Sequence, residues 1–146
     1  HVGKYKRHRL RYAFEKAVAS ALQQGKVIDE VVTSVRPLAS STLEIDALVR
    51  VGNQVGVLEI KTQAKKEAID QLATAASREY LGTYARKLLV TAHKAGPQID
   101  ALAAAHGVTI IALPSYGRER RLDAADAARL REGIASVLAG GARKKG

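Results

Sequence analysis

The chain of 146 residues contains no cysteine, no methionine and no tryptophan. Without cysteine it can form no disulfide, no thiolate metal site and no thiol nucleophile, and it fits a reducing, cytoplasmic setting. Aromatics are scarce too, one Phe and five Tyr, so a core drawn from the 47% of hydrophobic residues must be aliphatic. No apolar run approaches the roughly 18–20 residues that cross a bilayer. No charged start leading into an apolar stretch marks a signal peptide, so no membrane partner is expected. The Gly-x-x-x-x-Gly-Lys-Ser/Thr phosphate loop and the Gly-x-Ser-x-Gly elbow are both missing, which argues against an NTPase and a serine hydrolase. His1, His8, His93 and His106 have no metal-ligand spacing; His106 falls on the apolar side of its helix and reads as a core histidine. A start at His1 with no Met anywhere points to a trimmed chain or to a piece of a longer protein.

Acidic residues are in deficit. Twenty-four Lys and Arg against fourteen Asp and Glu give a net charge of +10 and a pI near 10.1. Such a field attracts polyanions, nucleic acid before anionic membrane; the bland alternative is a basic surface that serves solubility. The length suits one domain, taken here as residues 1–139. Residues 1–9, with Lys4, Lys6, Arg7 and Arg9, read as a basic arm or a solvated helix start, and 140–146 as a flexible basic tail.

Periodicity predicts a helix over 10–24, with Phe14, Ala17, Val18, Ala21 and Leu22 on one face. Strands follow over 27–36, 42–51 and 54–61, the last two joined by a tight Gly52-Asn53 turn. Helix 65–81, strand 86–92, helix 97–106, strand 108–113 and helix 123–139 complete the order α-β-β-β-α-β-α-β-α. Three strands meander and two helical crossovers add parallel strands. The fold class is therefore α/β, a mixed central sheet flanked by helices.

Asp46, Glu59 and Lys61 stand in strongly apolar strands, where an unpaired carboxylate is costly. With a two-residue turn at Gly52-Asn53, Val51 faces Gln54, and continuing the ladder sets Asp46 opposite Glu59. Facing Cβ atoms lie about 4.5–5.5 Å apart, so the two carboxylates repel unless a cation lies between them. A hard divalent ion such as Mg²⁺ answers this with oxygen ligands. Lys61, two residues past Glu59, projects on the same face. Such a group can activate water beside a phosphate. The alternative is a strand-edge ion-pair cluster with Lys61 and Arg50 and no metal.

Ile45-Asp46, twelve intervening residues and Glu59-Ile60-Lys61 resemble the signature of the PD-(D/E)xK, or restriction-endonuclease-like, nucleases. The αβββαβ core of that superfamily is also the element order read above. Within it, Glu44 to Thr62 is similar to the nuclease domain of CRISPR-associated antiviral effectors that carry a nucleotide-sensing CARF domain ahead of it. Tyr80-Leu81-Gly82-Thr83 and Arg86-Lys87-Leu88-Leu89-Val90-Thr91 resemble that group too. Two departures stand: no sensor domain is in this sequence, and Ile45 replaces the Pro of the motif name. The resemblance implies a metal-dependent endonuclease using Mg²⁺ or Mn²⁺ on DNA and/or RNA. It implies Asp46, Glu59 and the Ile60 carbonyl as metal ligands, and Lys61 as the residue that serves the attacking water and the charge growing on the phosphate. It also implies a homodimer, and an N-terminal nucleotide-sensing domain outside this sequence. The alternatives are a structure-specific DNA endonuclease similar to Holliday junction resolvases, and a non-catalytic nucleic-acid-binding module.

Supporting residues are less determined. Glu15 flanks the apolar stripe of the first helix and either faces the site, as an acid in that helix does in many members, or forms a helix-edge salt bridge. Gln71 lies nearly opposite its helix's stripe and is expected to be exposed. Lys65 and Lys66 open the second helix just past the site, either to meet phosphates or as a solvated helix end. The segment from Ser115 to Arg121 offers Tyr116 to stack on a base and Arg118, Arg120 and Arg121 to hold phosphates, or is an exposed charged turn.

Overall fold

The computed structural model describes residues 2–36, 43–77, 81–82 and 84–143. Along the chain come α1 (Val2–Gln23), β1 (Glu30–Val35), β2 (Ile45–Val51), β3 (Gln54–Lys61), α2 (Lys66–Ala75) and β4 (Arg86–Thr91). Then follow α3 (Pro97–Ala105), β5 (Val108–Ala112), α4 (Pro114–Glu119) and α5 (Ala124–Arg143). The sheet runs β1-β2-β3-β4-β5, antiparallel from β1 to β3 and parallel from β3 to β5. This is the mixed sheet and αβββαβ order expected from the sequence.

Local chemistry explains the hairpin at its centre. Gly52 adopts φ +60, a conformation that suits glycine, and Val51 pairs with Gln54 across the two-residue turn. Gly56 serves a different purpose. A Cβ there would stand 3.0 Å from Leu88 and 3.3 Å from Leu138, so its absence lets α5 press onto the sheet.

Each face of the sheet is sealed by aliphatic packing. On one, Phe14, Val18 and Leu22 of α1 and Leu130, Ile134 and Leu138 of α5 cover Ala47, Val49, Leu58, Ile60, Leu88 and Val90. On the other, Ile69 and Leu72 of α2 and Ala103 of α3 cover Ile45, Val57, Leu89 and Val108. Burying each large aliphatic side chain stabilises by roughly 1.5–3 kcal/mol. No described helix is long and apolar enough to cross a membrane.

Several boundaries differ from the periodicity. The helical backbone of α1 begins at Val2, so residues 2–9 continue the helix; Lys and Arg are good helix formers, and periodicity cannot mark a stretch without apolar spacing. At the other end α5 passes through Gly140 and Gly141 to Arg143, and residues 144–146 lie outside the described residues. α2 stops at Ala75, where the chain folds back with Leu81 N–H donating to the Ala75 carbonyl at 3.0 Å. Tyr80 and Thr83 of the resembling motif lie outside the described residues. His106 caps the C-terminus of α3 and is exposed, not a core histidine, because the helix ends one residue before it. Gln71 is half-buried rather than exposed.

The segment expected as a loop contains the short helix α4, opened by Pro114, whose fixed φ suits a first turn. Tyr116 is only 4% exposed and its ring centroid lies 4.7 Å from that of Phe14. It is a core residue, so the expectation that it stacks on a base is corrected. Asp126 ties α4 to α5. Its Oδ2 accepts from Ser115 N–H at 2.9 Å and Ser115 Oγ at 2.6 Å, and its Oδ1 from Arg129 at 3.0 Å. Burial alone would raise the Asp126 carboxyl; the Ser115 donors and Arg129 outweigh it and hold the group below the usual carboxylate range. Asp126→Ala should therefore cost about 2 kcal/mol in chemical denaturation, since it strands a buried N–H. An unchanged midpoint would show that the network is not what fixes α4.

Candidate active site

The parallel run β3-β4-β5 brings three strand carboxyl ends to one edge of the sheet, and antiparallel β2 begins at the same edge. In open sheets of this kind ligands bind beyond the carboxyl ends. Asp46 is the second residue of β2, and Glu59 and Lys61 close β3. All three side chains meet there.

The ladder between β2 and β3 ends at Ala47 and Leu58. One step further the strands fork, and Asp46 Oδ2 accepts the Ile60 N–H at 2.7 Å. In an extended residue the N–H and C=O point to the same side, so the Ile60 carbonyl opens toward the fork as well. On the other side of β2, pairing with β1 skips the Ser34 position opposite Asp46, and Ser34 takes φ 54. Ile45 packs under α2 while Ala47 packs under α1 and α5, although residues two apart in a regular strand share a face. The strand therefore rotates at Asp46, which turns its carboxylate into the fork. Positive φ at a serine is uncommon, and no sequence signal marked Ser34.

Glu59 is 1% exposed. Lys61 Nζ lies 3.4 Å from Glu59 Oε2 and 3.6 Å from Asp46 Oδ2, bridging both carboxylates. Arg50, the other cation considered as a partner, is engaged at the hairpin end with Glu30 and Asp29. Burial first, and the neighbouring Asp46 carboxylate second, push the Glu59 carboxyl up to about 8 against the opposing pull of Lys61. Glu59 Oε1 is buried with no hydrogen-bond partner. One ammonium thus serves two carboxylates, and one buried oxygen is left over.

This donor set suits a hard divalent cation: two carboxylates and a backbone carbonyl, all oxygen, with an orphaned Oε1 that a cation would satisfy. Among the described residues no group of three or more His, Cys, Asp or Glu gathers at one point, so any ion here would rest on two acidic side chains.

The remaining candidates fall around this edge or behind it. Lys65 and Lys66 are exposed at the N-terminal end of α2, four and five residues past Lys61. Arg118, Arg120 and Arg121 are exposed on α4 and just after it, beyond the carboxyl end of β5; Arg120 sits at φ 62 and Arg121 pairs with Glu119. Glu15 is half-buried on α1, the helix that covers the Ile60 face of the sheet. His93 enters the same edge: its N–H and that of Ala92 donate to the Thr62 carbonyl at 3.2 and 3.1 Å, which ties the ends of β3 and β4 together.

No protein-family model matches the sequence, and neither does any curated protein. Solved structures do. Can2 from Sulfobacillus thermosulfidooxidans, determined in complex with cyclic tetra-adenylate, superposes with a TM-score of 0.61 over 86% of this chain at 14% identity. Protein VC1899 from Vibrio cholerae superposes with a TM-score of 0.60 over 87% at 19% identity. This chain spans 33% of the length of each. The likeness shows the fold: an α/β domain with the restriction-endonuclease-like core, its mixed sheet flanked by helices.

Proposed function

We propose that the chain is a metal-dependent nuclease domain of the PD-(D/E)xK type that hydrolyses phosphodiester bonds in DNA or RNA. The observation that carries the reading is the convergence of Asp46, Glu59 and Lys61 at the β2–β3 fork, with Glu59 Oε1 buried and unpartnered. Asp46, Glu59 and the Ile60 carbonyl would hold Mg²⁺ or Mn²⁺. When bound, such an ion polarises a phosphoryl oxygen and makes water a stronger nucleophile.

The chain's own residues supply the rest. Lys61, no metal ligand, orients the attacking water and stabilises charge gathering on the phosphate as a fixed ammonium in a sheltered site. Glu15 would support the site from α1. Lys65 and Lys66 hold phosphates beside it: two cations at a helix N-terminus oppose the helix dipole, an arrangement that an anion there would offset. Arg118, Arg120 and Arg121 extend the basic track along the same edge. The complex of Can2 with cyclic tetra-adenylate, in a chain about three times as long, supports a nuclease domain that works inside a longer, nucleotide-responsive effector.

Incubating the chain with labelled DNA and RNA, with Mn²⁺ and with chelator, tests the reading directly. Cleavage with metal and none with chelator supports it. No cleavage of either polymer under any metal condition leaves a binding module, and cleavage confined to four-way junctions favours the resolvase-like alternative. Binding measured in chelator should weaken steeply with salt, with a log–log slope of about −0.7 to −0.9 per phosphate neutralised. A salt-independent affinity would remove the phosphate track.

A further inference from the structure

The opposite edge of the sheet carries positive charge of another kind. There the amino ends of β4 and β5 and the last turns of α5 enclose a cavity of about 220 Å³, lined among others by Arg86, Lys87, Thr109, Ser136, Gly107 and Gly140. Among the described residues no carboxylate lines it. The Arg86 Nε is buried and has no hydrogen-bond partner. Lys87 lies against Gly107, where an added Cβ would stand 3.8 Å from Nζ, and Gly140 leaves its own side-chain space open. Arg86, Lys87, Thr109 and Ser136 therefore border one small space, and the buried Arg86 Nε lacks an acceptor.

A buried donor without an acceptor costs roughly 1–3 kcal/mol, and more when it belongs to a charged group. The acceptor that fits is an anion with several oxygens. A planar guanidinium fork matches phosphate geometry, and Thr109 of β5 and Ser136 of α5 bring hydroxyl-bearing residues to the lining. We propose that this cavity binds one phosphate group, as a second anion site distinct from the fork. The separation is set by β4: Arg86 begins the strand and Thr91, paired with Lys61, ends it, about 17 Å at 3.3 Å per residue. The proposal does not depend on the nuclease reading.

The probe is inorganic phosphate, titrated calorimetrically into the full chain in chelator. Saturable binding at one equivalent is expected. Arg86→Gln should weaken it by about tenfold or more. Ser136→Glu places a carboxylate at an exposed position of the lining, and should abolish phosphate binding while raising the melting temperature, because it supplies an acceptor beside Arg86, whose buried Nε has none. That opposite movement separates a lost site from a lost fold. Lys61→Ala should leave phosphate binding unchanged. Absence of saturable binding, or retention of it in both Arg86→Gln and Ser136→Glu, overturns the proposal, as does its loss in Lys61→Ala. Displacement of phosphate by a 5′-phosphorylated oligonucleotide but not by its unphosphorylated form assigns the site to a terminal phosphate. Displacement by both assigns it to a backbone phosphate, and by neither overturns a nucleic-acid source and leaves free phosphate as the ligand.

Discussion

Asp46→Asn and Glu59→Gln should each reduce cleavage by about a hundredfold or more and weaken divalent-metal binding together, whereas Lys61→Ala should reduce cleavage comparably without weakening metal binding. The split follows from the fork. Each carboxylate change would remove an anionic oxygen from the proposed metal site, and Asn at 46 also exchanges a charged acceptor of the Ile60 N–H for a neutral one. Lys61 bridges both carboxylates, but an ammonium is no metal ligand, so its removal should leave metal affinity largely intact. Metal titration by calorimetry, beside cleavage of a labelled substrate, reads both quantities on the same preparations. If Lys61→Ala weakens metal binding as much as Glu59→Gln does, the ammonium is not serving the water. If all three variants cleave normally, the fork is an ion-pair cluster and the nuclease reading is lost.

The geometry behind this was legible because it depends on counting. A two-residue turn at Gly52-Asn53 sets the register, and from it Asp46 must lie near Glu59 and Lys61. The aliphatic stripes of α1 and α5 were equally plain, since Phe14, Val18, Leu22, Leu130, Ile134 and Leu138 keep helical spacing. The departure from the ladder was not legible. Regular pairing would have aligned Asp46 with Glu59 as ladder partners, but the strands part there, and the carboxylate takes the Ile60 N–H. Nothing in Ser34 or Ile45 announces that rotation, which shows only in how β1, β2 and β3 meet around Asp46. Tyr116 was misread for a related reason. A segment rich in Arg looks exposed by composition, yet one helical turn opened by Pro114 carries the ring inward onto Phe14. The unpartnered Arg86 Nε lies beyond sequence reasoning altogether, because a missing acceptor among the described residues is a fact about neighbours.

Stability of the metal-free chain should fall as pH rises from about 4.5 to about 8, and Glu59→Gln should flatten that decline. The sign follows from where Glu59 holds its proton. Its carboxyl is pushed from 4.5 up to about 8 in the folded chain, by burial first and by Asp46 second. Below 4.5 folded and unfolded chains both carry the proton, and stability is fully present. Between the two values the unfolded chain releases it and the folded chain keeps it, so each pH unit costs up to a little over ~1 kcal/mol. Above 8 the folded chain must bury the charge and the loss is complete. Glutamine keeps the shape without the titration, so the variant should exceed the parent by about 2 kcal/mol or more at pH 8 and differ little at pH 4.5. Urea denaturation in chelator at several pH values measures both. Asp46→Asn adds a check on the cause: without the neighbouring carboxylate the window should shorten from its upper end, because burial alone then holds the Glu59 proton. At the proposed metal site an ion would compete for the same oxygen, so Mn²⁺ should stabilise the parent most at high pH and release a proton on binding, visible as a heat that varies with buffer ionisation. Parallel pH profiles for parent and Glu59→Gln would mean that Glu59 is ionised in the fold throughout, and that Lys61 alone satisfies both carboxylates.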